Sequence, residues 1–117
     1  MPTIHDVVLA LSDRPGVDAV ILLGRDGLPI DAQAGNGLDP DGLAALIPSV
    51  VAACNRLGTA AGRGDFGTGV VEFAAGMLLV SAITPETLLA ILVAADSNAG
   101  VLLYEIQRHR SAIAELL

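Results

Sequence analysis

The sequence has no Trp, one Tyr, two Phe and a single Cys among its 117 residues. With aromatics at 3% there is no platform on which the bases of single-stranded nucleic acid could stack. Basic residues are also few: six against thirteen acidic ones give a formal charge of −7, which repels a phosphate backbone unless a local basic patch overcomes it. The one basic cluster, Arg108, His109 and Arg110, reads more simply as charge in the last half of a helix, where cations favour the macrodipole. The composition therefore argues against nucleic acid as a partner. Cys54 alone cannot form a disulfide within the chain. With only His5 and His109 beside it there is no metal-ligand spacing, and no cofactor is implied. Uninterrupted apolar segments such as Leu88 to Ala95 stop short of the roughly 18 residues of a membrane span, and Met1 to Asp6 lack the pattern of a signal peptide. The expectation is a soluble, cytoplasmic chain without membrane insertion.

What is present is aliphatic: hydrophobic residues make up 53% of the chain, so the core is built from Val, Leu, Ile and Ala. The length suits one domain spanning residues 1–117. A chain of this size cannot easily hide so much apolar surface alone, which points to a partner surface, most simply a second copy of itself.

Ile4, Val7, Val8 and Leu11 recur at helical spacing until Arg14-Pro15-Gly16 stops them. Val17 to Leu23 and Leu28 to Ala34 flank the turn Arg25-Asp26-Gly27 and read as a β-hairpin. Asn36-Gly37 is a loop, and Asp39 ahead of Pro40 caps a helix running to about Ala61. At 100° per residue, Leu43, Ile47, Val50, Cys54 and Leu57 form one face of that second helix, flanked by Leu46 and Val51, which predicts that these residues are buried. The opposite face carries Ala45, Pro48, Ser49, Ala52, Arg56 and Thr59; it suits either solvent or the close approach of another helix. Pro48 removes one helical bond. Gly69 to Ala74, Met77 to Ile83 and Leu88 to Ala95 follow as strand-length apolar runs, with turns at Gly76 and at Thr84-Pro85-Glu86. The last run is open between strand and helix by composition. Asp96, Ser97 and Asn98 offer caps for a final helix with Leu102, Ile106, His109, Ile113 and Leu116 on one face. The element order is α-β-β-α-β-β-β-α.

Gly62-Arg63-Gly64-Asp65-Phe66-Gly67 has the spacing G-x-G-x-x-G. A dinucleotide site needs a strand before these glycines and a helix after them. Here a helix leads in and a strand leads out, so the segment is read as a helix-to-strand connection in which glycine ends one element and turns a corner. The letters Arg-Gly-Asp and Asp-Phe-Gly inside it match an adhesion ligand and a kinase motif by coincidence, with no export signal and none of the other kinase motifs. No nucleophile has a positioned base: Cys54 and the serines have only two helical histidines to call on. Asp39 and Asp41 lack the downstream Glu of a calcium loop. Glu72, between Val71 and Phe73, faces the other side of its strand from both.

Three segments, in this order, resemble the roadblock/dynein light chain family over about residues 3 to 116: "RPGVDAVILLGRDGLPI" (Arg14 to Ile30), "VVEFAAGMLLVSAI" (Val70 to Ile83) and "LVAADSNAGVLLYEI" (Leu92 to Ile106). The resemblance implies an α/β (α+β) fold of roadblock/profilin-like type. It would have a five-stranded antiparallel sheet, with the long second helix on one face and the two terminal helices on the other. It also implies a homodimer with third strands paired edge to edge and second helices side by side. The expected contact is Ala45, Ser49, Ala52, Ala53 and Arg56 on the helix with Gly69, Val70, Val71, Glu72 and Phe73 on the strand. Single-domain prokaryotic members of that family often bind a Ras-like small GTPase and alter its nucleotide cycle, while others are scaffold dimers. The function implied is a non-catalytic regulatory or adaptor module for such a GTPase, with a structural dimerisation scaffold as the alternative. A GTPase-activating member could supply an arginine finger; Arg56 and Arg63 lie near the predicted surface, and no motif singles out either. A small-ligand sensor would need a roomy polar pocket, for which Ser81 and Tyr104 are the few polar candidates in apolar segments.

Overall fold

A computed structural model describes residues 1–35 and 37–117, so the expected Asn36-Gly37 loop falls at Asn36 outside the described residues. The elements are α1 (Ile4–Ser12), β1 (Val17–Gly24), β2 (Pro29–Ala34), α2 (Pro40–Ala60), β3 (Thr68–Phe73), β4 (Gly76–Thr84), β5 (Thr87–Val93) and α3 (Ala99–Leu116). Each helix starts on a side chain that satisfies an otherwise orphaned amide. Thr3 and Asp6 form a reciprocal capping box at α1, Asp39 Oδ1 accepts from the Asp41 N–H ahead of α2, and Asn98 Oδ1 accepts from the Val101 N–H at α3.

The five strands form one antiparallel sheet in the order β2-β1-β5-β4-β3. Alternation sorts their side chains into two cores. Val20, Leu22, Leu79, Leu89 and Ile91 pack with Val8 and Leu11 of α1 and Leu102, Ile106 and Ile113 of α3. Ile21, Leu23, Leu78, Val80, Leu88 and Ala90 pack with Ala44, Ile47 and Val51 of α2. The sheet thus has α2 on one face and α1 and α3 on the other, as the resemblance implies. The run that composition left open is a strand: β5 is central and covered on both faces, so it is apolar from Leu88 to Val93 and shows no alternation.

Residues on two of the helices lie differently from the sequence reading. On α2 the inward residues are Ala44, Ile47 and Val51, with Leu43, Pro48, Cys54, Asn55 and Gly58 half-buried. Leu46 and Leu57 are 70% and 69% exposed and Val50 is 42% exposed. The helix carries apolar residues on more than one face, and the face that meets the sheet is the one centred on Ala44, Ile47 and Val51, packed on Ile21, Leu23, Leu78, Val80 and Leu88. Gly27, at φ +85 in the β1–β2 turn, lies against that helix at ordinary contact distance, a Cβ there being 3.4 Å from Ala45 Cα and 3.5 Å from the Ala44 carbonyl oxygen. Counting hydrophobicity alone aims the largest residues inward. By length and apolar composition α2 also meets the criteria of a membrane span, which uninterrupted apolar runs did not reveal.

The second difference concerns Arg110. Helix α3 continues to Leu116, so Arg110 lies more than a turn from its end, and instead of serving the macrodipole it reaches back over β3 and β4. Its Nη2 donates to Thr68 Oγ1 (2.6 Å) and Ser81 Oγ (2.7 Å).

Candidate functional site

The β3 strand is an edge of the sheet, paired on one side only. The Ala82 N–H donates to the directly opposite Gly67 carbonyl, which sets the phase of the antiparallel ladder. Gly69, Val71 and Phe73 exchange their main-chain bonds with β4, and Thr68, Val70 and Glu72 turn theirs outward. Val71 lies opposite Leu78 and Gly69 opposite Val80, two residues packed under α2, so Gly69, Val71 and Phe73 share the α2 face of the sheet. Thr68, Val70 and Glu72 share the α3 face. From Val70 to Phe73 every side chain is exposed, with Phe73 at 54%, and Gly69 is half-buried. An unpaired, uncovered strand end of Val, Val and Phe is a site that sheet proteins ordinarily guard.

On α2 the outward apolar residues Leu46, Val50, Ala53 and Leu57 follow 4-3-4 spacing and make a second apolar stripe about a third of a turn around the helix from the one in the core. Ala45, Ser49, Ala52 and Arg56 are also exposed and flank it on one side. The structure therefore sets all five helix residues named from sequence at the surface. Beside them it adds three large side chains, Leu46, Val50 and Leu57, that sequence reasoning assigned to the core.

The segment joining α2 to β3 is tied down. The Arg63 N–H donates to the Gly58 carbonyl and the Gly62 N–H to the Thr59 carbonyl, with Gly62 at φ +68. This pair of bonds is a Schellman ending and answers why glycine stands there. Asn55 Oδ1 then accepts from the Phe66 N–H at 2.6 Å, and the Phe66 ring packs on the core beneath α2. Arg63 and Asp65 are exposed on this connection.

Among the described residues no three His, Cys, Asp or Glu side chains converge. Cys54 is half-buried on α2. Glu105, buried on α3, pairs with Arg14 at 2.8 Å and stands 3.4 Å from His109, and His5 pairs with Asp31 at 2.9 Å across α1 and β2. The Thr3 amide and hydroxyl hold the Asp6 carboxyl below its ordinary 3.8. Ser81 is buried and taken up by Arg110 and Thr68, whereas Tyr104 is exposed, so the two polar candidates for a ligand pocket are not brought together. The space lined by Ile4, Val7, Leu22, Leu89 and Ile113 has no room for a water-sized molecule.

The model of the Roadblock/LC7 domain family matches residues 3–93. A Roadblock/LC7 domain from Streptomyces avermitilis is 28% identical, with 97% of each chain covered and a TM-score of 0.85. MglB from Myxococcus xanthus is 20% identical over 97% of this chain and 93% of its own, with a TM-score of 0.88. A structure of MglB with a tetrameric arrangement is 20% identical over 97% and 86%, with a TM-score of 0.86. No curated protein is a significant match.

Proposed function

This chain belongs to the Roadblock/LC7 domain family, and from that premise we propose that it is a non-catalytic, homodimeric regulatory and adaptor module that binds a small Ras-like GTPase and modulates its nucleotide cycle. The observation that carries the dimer is the pair of uncovered apolar elements on one side of the sheet, the outer stripe of α2 and the open edge of β3. A second copy related by a two-fold axis covers both at once: β3 pairs with β3, and the α2 helices meet along Leu46, Val50, Ala53 and Leu57, with Ala45, Ser49, Ala52 and Arg56 beside them. Small residues at the flanks let the helices approach closely. The tetrameric arrangement of MglB supports assembly between copies. The GTPase partner and the non-catalytic role follow from the family resemblance and the likeness to MglB.

Sedimentation equilibrium of the purified chain tests the dimer. The partner is tested by capture from host lysate with a non-hydrolysable GTP analogue and with GDP, followed by a hydrolysis assay on any GTPase retained. A Ras-like GTPase enriched in one nucleotide state is the expected result. Partners indifferent to nucleotide refute the regulatory reading and point to the scaffold.

A further inference from the structure

Arg110 is a half-buried cation without a carboxylate. The ion pairs of the described residues involve His5, Arg14 and His109 only. The guanidinium is held by two neutral hydroxyls, and its Nε is buried with no hydrogen-bond partner. Such a group ordinarily has a charged acceptor beside it. Glu72 is the complementary case, an exposed carboxylate on the same face of the sheet with no cation of its own. The two cannot meet within one chain. Arg110 sits on Thr68, and four residues of strand put Glu72 roughly 13 Å farther along β3.

We propose that Glu72 of one copy completes the Arg110 site of the other across the β3–β3 junction, a pair formed twice in each dimer; the inference rests on the homodimer proposed above. The geometry follows from the ladder. Thr68, Val70 and Glu72 are the three residues whose main-chain groups face outward, and they are symmetric about Val70. A two-fold axis at Val70 lets all three exchange bonds with their equivalents and sets Thr68 of one copy directly opposite Glu72 of the other. Their Cα atoms are then about 5.5 Å apart with both side chains on the α3 face. The carboxylate thereby arrives beside the hydroxyl that already accepts from Arg110 Nη2. A one-residue slip of the axis to Val71 leaves Glu72 diagonal to the partner's Thr68, a looser form of the same contact. The pair also has a task. Two chains of formal charge −7 repel each other, and a cross-dimer attraction at a defined register offsets that repulsion while fixing the strands against slippage.

Charge exchange provides the test. Glu72→Arg and Arg110→Glu are each purified and their dimer dissociation constants measured; the two are then mixed and the species counted by native mass spectrometry. In either homodimer both pairs become like-charged, whereas in the mixed dimer both become opposite. The expected result is homodimers weakened at least tenfold and a mixed dimer well above the statistical half. Because Arg110→Glu also removes bonds to Thr68 and Ser81, Glu72→Gln, at an exposed position, serves as the independent variant. Two half-buried pairs worth about threefold each raise its dissociation constant about tenfold at low salt, a difference that shrinks as salt is added. A wild-type dimer with a statistical mixture and an unchanged Glu72→Gln constant overturns the ion pair and leaves the dimer standing. A monomeric wild type overturns both.

Discussion

Leu57→Ser separates the two possible roles of the outer stripe of α2. Complete removal of a Leu side chain from water is worth about 2 kcal/mol. With 69% of Leu57 still exposed, about 1.4 kcal/mol per protomer is left to be gained on association, or about 3 kcal/mol for the two copies in a dimer. Truncation to Ser removes that gain and raises the dimer dissociation constant about 100-fold. The monomer itself loses only the difference in helix propensity, about 0.5 kcal/mol or less. Sedimentation equilibrium gives the first quantity, and urea unfolding at concentrations low enough to keep the chain monomeric gives the second. Ile47→Ser, one face away and 5% exposed, behaves oppositely and destabilises the monomer by about 3–5 kcal/mol through lost packing and a buried hydroxyl. A Leu57→Ser chain that dimerises within threefold of wild type refutes the interface. One whose monomer loses 2 kcal/mol or more refutes the assignment of Leu57 to the surface.

Gly58→Ala, ordinarily worth up to about 1 kcal/mol of gain in a helix, destabilises here by about 1–2 kcal/mol. The new methyl runs into the Gly64 carbonyl and displaces the loop whose Phe66 N–H is bound by Asn55; urea unfolding reads the sign. Arg14→Ala leaves the buried carboxylate of Glu105 with only His109 beside it and lowers stability by about 1–2 kcal/mol, below the 3–5 of a fully enclosed pair because Arg14 is itself nearly half exposed. Asp6→Asn tests the capping box through its pH dependence. The folded-state carboxyl is held below 3.8 by the bonds from Thr3, so its contribution is present above that value and lost as pH falls through the depressed one. The difference in Tm between wild type and Asp6→Asn is therefore full at neutral pH and closes in strong acid.

Element order and turns were legible because they rest on local chemistry: Asp26-Gly27 at the hairpin, Asp39-Pro40 at the start of α2, and Asn98 at the start of α3 each act through their own backbone. The orientation of α2 was not. Leu43 to Leu57 carry apolar residues on two faces, and which face meets the sheet depends on packing against Ile21, Leu23, Leu78, Val80 and Leu88, residues far away in the chain. Arg110 was misread for the same reason, since its partners Thr68 and Ser81 lie 42 and 29 residues away. The strand part of the candidate surface was visible as a β-rich run, but its place at the edge is a property of the whole sheet order.

The ending of α2 has a consequence for recognition. With Arg63 bonded to Gly58 and Phe66 to Asn55, the helix and the edge strand are clamped to each other through a connection that has little freedom left to lose. In the proposed dimer the second copy meets a helix and a strand already tied to each other, so the entropy given up on association is mainly that of rigid bodies and of a few side chains. The surface is in that sense a preset gauge, and Gly58→Ala, by displacing the connection at Gly64, alters its spacing without touching any residue of the proposed contact.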